Sequence, residues 1–254
     1  MTMIEPYGFQ LFSAREFPPI DAQLQTVAAL GFRNVEPYRL LYDNPAEARA
    51  MLDRHNLVAR TGHFALLSLQ QEFERHVEAA RILGIKRIIV PSLPPEERVK
   101  DVAGWKELGH QLGELRHKVG EAGFDFAWHN HDFEFVRLED GSMAIEHVLG
   151  ETIDWQVDIV WIARAGHDPL HWLKKFSGRV KSIHFKDLAP AGEKLDEAGW
   201  ADPETGILPW DEYWAAAIAA GAETAIAEHD MPKDYKRFAT NAIARLYELT
   251  GDTA

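Results

Sequence analysis

The chain contains no cysteine in 254 residues. That absence removes disulfides, thiolate nucleophiles and sulfur-ligated metals, leaving His, Asp and Glu as the side chains able to hold an ion. Basic residues are also scarce: 27 Lys and Arg against 40 Asp and Glu give a formal charge of −13. Phosphate backbones are bound through Lys and Arg clusters that release counterions, so a nucleic-acid partner is not expected and a neutral polyol or sugar suits the chain better. No apolar run approaches the ~20 residues that cross a bilayer, and no basic segment with an apolar core follows Met1. No membrane partner is expected, and the cytoplasm is the expected compartment. The 18 glycines and 13 prolines are scattered, so no linker or low-complexity tract is expected either.

What is present fits one large core. The hydrophobic content is 46%, and the length matches the ~250 residues of a single α/β barrel, so residues 1–254 are read as one domain. Eight β-like runs alternate with segments of helical period: Tyr7–Phe12, Asn34–Pro37, Leu57–His63, Ile88–Pro91, Phe126–His131, Trp155–Asp158, Ser182–Phe185 and Thr224–Glu228. Between them, Ala22–Leu30, Ala46–His55, Leu69–Leu83 and Trp105–Ala122 carry apolar residues at three- and four-residue spacing. Several helices run into Gly before the next strand, at Gly31, Gly84, Gly123 and Gly221, as a left-handed C-terminal cap requires. Alternating strands and helices build either a closed barrel or an open sheet. Metal-competent residues at the strand ends favour the (β/α)8 TIM barrel, because Glu36, His63, His129, His131, Asp158, His184, Lys186 and Glu228 would there converge on one mouth.

The most specific local signal is Trp128-His129-Asn130-His131-Asp132-Phe133-Glu134-Phe135. Histidines two apart on a strand point to the same face, so both imidazoles can enter the mouth. This segment resembles the His-Asn-His-x-x-Glu-Phe of the sugar phosphate isomerase/epimerase family, the xylose-isomerase-like barrels. Tyr7–Ser13, Asn34–Tyr38, Gln156-Val157-Asp158, Ile183-His184-Phe185-Lys186-Asp187 and Ala227-Glu228-His229-Asp230 resemble other strands of that family in the same order.

The resemblance implies a divalent ion held by Asp158, His184 and Glu228, with either His129 or Glu134 as fourth ligand. His129 stands where the family usually has a glutamate. Such a nitrogen and oxygen set suits Mn, Co, Zn, Mg or Fe. Glu228, His129 and His131 are the candidate catalytic groups, and Lys186, His63, Glu36, Trp128 and Trp161 the candidate substrate contacts, with Phe64 and Tyr38 as further apolar walls. The expected activity is isomerisation or epimerisation of a ketose or keto-sugar through an enediolate. The imidazole at position 129 makes a lyase, dehydratase or hydratase the main alternative, and a non-catalytic barrel subunit the next. A DNA-repair endonuclease is disfavoured by the acidic charge. A homo-oligomer is compatible with the sequence.

Bland readings stand beside these. Buried strand histidines can simply satisfy backbone groups, and Glu134 can pair with a cation at the rim. Helical histidines such as His76 read as solvated or capping residues, and Gly192–Gly206 as a solvated loop more than a lid.

Overall fold

The computed structural model describes residues 7–98 and 101–251. Eight strands pair in parallel: β1 Gly8–Gln10, β2 Asn34–Glu36, β3 Thr61–His63, β4 Arg87–Val90, β5 Asp125–His129, β6 Asp154–Asp158, β7 Val180–Phe185 and β8 Thr224–Ala227. Their ladders connect β2-β1-β8-β7-β6-β5-β4-β3. Backbone bonds from Val35 N to Val58 O and from His63 N to Pro37 O, each 2.9 Å, close the ring between β2 and β3. Helices follow the strands around the outside, among them Ile20–Leu30, Pro45–Arg54, Val102–Glu121 and Tyr235–Thr250. This is a (β/α)8 barrel. Among the described residues no helix is long and apolar enough to cross a membrane.

The two-residue alternation of a strand sorts side chains between lumen and helix layer. Phe9, Val35, Trp128, Trp155, Val157, Ile183 and Phe185 belong to the buried core shared with the helices. Their neighbours Gln10, Glu36, His129, Gln156, Asp158 and His184 are buried polar residues. In-register pairing of His129 with Gln156 and of Asp158 with His184 places these on the opposite face, toward the barrel axis. Gly8 belongs to the same lumen: a Cβ there would lie 2.3 Å from Ile226 Cδ1 and 2.8 Å from Asn34 Nδ2, so only glycine fits. Gly31 and Gly84 hold φ of 112° and 81°, the left-handed turn that releases each helix into the next strand.

His76 departs from the solvated role expected of it. Its imidazole packs edge-on against Tyr42 and Phe64, and neither ring nitrogen has a hydrogen-bond partner. Burial, reinforced by Arg75, holds its pKa below the ordinary value. A base with a depressed folded pKa adds stability above its unfolded pKa of ~6.5 and loses it as pH falls below that value. His76→Phe, which keeps the ring packing, is therefore expected to flatten the decline of unfolding free energy between about pH 6.5 and 5. Urea titrations at several pH values check this, and an unchanged slope would count against it.

Candidate active site

The mouth is built from the carboxyl ends of β5 to β8. His129, Asp158, His184 and Glu228 each offer a ligand atom, and these atoms all lie within 4.8 Å of one another. All four residues are buried. Asp158 serves two purposes: Oδ1 accepts from Trp161 N at 2.9 Å, capping the helix Ile159–Arg164, while Oδ2 faces the mouth. His184 donates from Nε2 to Glu36 Oε1 at 2.8 Å and turns Nδ1 toward Glu228 Oε2 at 3.0 Å. With an ion bound, the carboxylate behind Nε2 would fix the neutral tautomer and aim Nδ1 at the ion; without one, both ring nitrogens face carboxylates. Burial opposes charging His184, but Glu228 and Glu36 outweigh it and push its pKa up to about 10.

His129 is the group that fits an ion most clearly. Its ring is 4.3 Å from that of His184, and its buried Nδ1 has no protein partner. Burial, then the neighbouring imidazoles of His184, His131 and His63, hold it well below the ordinary pKa. A neutral buried imidazole with an idle nitrogen beside two carboxylates matches the mixed donor set of a divalent ion. A second set, His63, His129 and His184, is equally close. His63, however, is already engaged, donating from Nε2 to Gln156 Oε1 at 2.6 Å and accepting at Nδ1 from Gln10 Nε2 at 3.3 Å.

Four expected roles differ from what the geometry shows. Glu134 is not brought to the metal group: Oε1 accepts from Trp128 Nε1 at 2.9 Å and Oε2 from His131 N at 2.8 Å, so it props the turn after β5. Burial pushes its pKa up to about 8. Trp128 is no substrate wall, because the residue next to His129 must point into the helix layer, where it is fully buried. Glu36 lies beneath the mouth, accepting from Gln10, Thr61, His63, Gln156 and His184, with no exposed surface. It orients imidazoles and has no capacity left for substrate. Phe64 is buried too, stacked on Tyr42 at 4.2 Å.

His131, Trp161 and Lys186 do meet at the mouth. The His131 ring stands 5.1 Å from Trp161 and 6.0 Å from Phe133, and both His131 Nδ1 and Trp161 Nε1 lack partners. Burial holds His131 down at about 4, against the pull of Asp230, so its imidazole is neutral. Lys186 is fully buried, with Nζ 2.7 Å from Asp158 Oδ2, 2.7 Å from Glu228 Oε2 and 2.9 Å from Asp230 Oδ2.

Several functional residues escaped the sequence reading. Asn130 accepts from Trp155 Nε1 and Asp158 N, both at 2.9 Å, and donates to Asp158 O at 3.1 Å, tying the ends of β5 and β6 together. Gln10 and Gln156 hold Glu36 and His63; Gln156 lies two residues before Asp158, a spacing that could have marked it.

The stretch Gly192–Gly206 is ordered, not merely solvated. Trp200 is buried, edge-on to Trp161 at 4.6 Å and 4.9 Å from Lys186 Nζ. Arg237 clamps the stretch, bonding Asp202 Oδ2 at 2.8 Å and Glu197 Oε1 at 2.7 Å. At its end, a Cβ on Gly206 would fall 2.2 Å from Asp187 Oδ1. Arg237→Met is expected to cost about 2–3 kcal/mol, less than a fully buried pair because the guanidinium stays partly in water. Urea unfolding measures that loss, and limited proteolysis should show new cuts between 192 and 206; unchanged stability would argue against a clamp.

No family model matches the chain. An inosose dehydratase from Geobacillus kaustophilus is 24% identical over 211 residues, covering 74% of this chain and 68% of that protein. A sugar phosphate isomerase/epimerase from Parabacteroides distasonis superposes with a TM-score of 0.77 at 18% identity, covering 96% of each chain. The IolI protein, solved with a binding zinc atom, gives a TM-score of 0.75 at 16% identity over 96% of this chain and 98% of its own. The architecture of the chain is that of the xylose-isomerase-like TIM barrels.

Proposed function

We propose that the chain is a metal-dependent lyase that removes water beside the ketone of a small keto-sugar or keto-cyclitol. The observation that carries this reading is the make-up of the four-residue group, in which an imidazole, His129, stands with Glu228 while Glu134 is tied behind the strand. Epimerisation by a pair of carboxylates on opposite substrate faces lacks its second member. His131 offers instead an unpartnered imidazole nitrogen at the mouth.

Asp158, His184, Glu228 and His129 would hold the ion, which supplies stabilisation of negative charge on a substrate carbonyl oxygen. Glu36 and Asn130 keep His184 and Asp158 aimed. His131 Nδ1 takes the proton from the carbon next to the ketone. As imidazolium it returns that proton to the hydroxyl on the following carbon, which leaves as water while the C=C bond forms. Trp161 and Trp200 cover the reacting face and limit water, and Trp161 Nε1 is free to bind a substrate hydroxyl. The similarity to an inosose dehydratase supports this choice of reaction.

The test is incubation of the Mn²⁺- or Zn²⁺-loaded protein in D₂O with inosose and a panel of keto-sugars. Enone absorbance with loss of water is the expected result. Deuterium incorporation or inversion without water loss would replace this reading by epimerisation, and neither with any substrate would remove both.

A further inference from the structure

The position of Lys186 says more about the ion than about the substrate. Its ammonium meets carboxylate oxygens from three residues, on the ends of β6 and β8, at 2.7, 2.7 and 2.9 Å, with no exposed surface. Two of these three, Asp158 and Glu228, belong to the four-residue metal group, and Asp230 does not. Asp158 has no spare oxygen, since Oδ1 is spent capping the helix at Trp161 N; Oδ2 is the atom Lys186 holds. On Glu228, the oxygen Lys186 holds is the same Oε2 that faces His184 Nδ1. A divalent cation drawing on Asp158 needs the oxygen that already faces the ammonium, while Glu228 keeps Oε1 clear of it; two cations drawn to the same carboxylates at such short range repel strongly.

We propose that Lys186 is the resident counter-cation of the metal-free site, and that ion binding displaces it from Asp158 and Glu228 onto Asp230. Two buried carboxylates and a half-buried third without a cation would be costly, so the lysine keeps the mouth folded until an ion arrives. Asp230, 21% exposed in its side chain and outside the metal group, is the partner left to it. The released ammonium stays beside Trp161 and Trp200, whose ring centres lie 5.7 and 4.9 Å from Nζ, where substrate oxygens would enter. The proposal rests on the metal reading above.

The experiment is calorimetric titration of Mn²⁺ and Zn²⁺ into chelator-stripped wild type, Lys186→Met and Asp230→Asn. Lys186→Met should bind the ion about tenfold tighter or more, the size of an ordinary coupling between competing sites. Its metal-free form should melt lower, and its rise in Tm on metal addition should exceed that of wild type. Asp230→Asn should bind more weakly, and that penalty should shrink in the Lys186→Met background. Equal or weaker binding by Lys186→Met overturns the competition while leaving the metal site standing; failure of wild type to bind either ion overturns the metal reading itself. Should Lys186→Met not fold, mass-spectrometric footprinting of wild type by reductive methylation decides the matter. Lys186 should be labelled faster with the ion than without, and equal labelling overturns the proposal.

Discussion

Replacing His129 by phenylalanine is expected to leave the metal-free protein as stable as before, or more so, while weakening ion binding about a hundredfold. The two effects run in opposite directions because the His129 ring is held by packing, with no side-chain hydrogen bond from Nδ1 to the rest of the described residues. Its buried Nδ1 is unpartnered, and a buried unsatisfied polar group costs about 1–3 kcal/mol, which an apolar ring of similar shape avoids. The surrounding rings of His63, His131 and His184, with centres 4.3 to 5.3 Å away, give phenylalanine aromatic neighbours. Binding loses one ligand of four. With roughly 10–16 kcal/mol for a complete four-ligand site, the share of one is about 3 kcal/mol, near a hundredfold. Thermal melting without metal and equilibrium dialysis with Mn²⁺ or Zn²⁺ measure the two halves separately. Metal affinity equal to wild type would remove His129 from the ligand set.

His131→Phe is expected to lower kcat by about 10² to 10⁴, the range for loss of a positioned proton-transfer group. The new ring retains the packing against Phe133 and Trp161. Because the substitution leaves the four-residue group intact, metal content should stay at the wild-type level and KM should move little. Loss of metal together with activity would show that His131 acts through the ligand set and not on substrate. Wild-type turnover would shift the proton transfer to Glu228.

Much of this molecule could be read along the chain. The strand runs fell on the eight barrel strands because each is a short segment rich in apolar and aromatic residues bounded by helical patterns and turn glycines, a local signal. Glycines at 31 and 84 marked helix ends because the left-handed turn there excludes most other residues. Asp158, His184 and Glu228, singled out by the family resemblance and by their places at or beside strand ends, come close together because a barrel gathers strand ends whatever the loops do. The rest depended on where side chains finish. Glu134 and His129 were alternative candidates on paper, and the turn after β5 folds Glu134 back onto Trp128 and the amide of His131. His76 looked like a solvated helical residue because nothing in its local pattern reveals the Tyr42 and Phe64 rings that cover it.

The sequence by itself determined the layout: alternating strands and helices, an acidic chain without thiols, and carboxylates and imidazoles at the ends of consecutive strands. These are matters of composition and short-range spacing. The tertiary structure decided which of those groups face one another, since distances among residues 129, 158, 184 and 228 are fixed by barrel closure and register. It also decided that Glu36 supports the site from below, that Trp200 covers it, and that Lys186 sits between three carboxylates. Each of those contacts joins residues far apart in the chain, and such pairings are set by packing that no local pattern encodes.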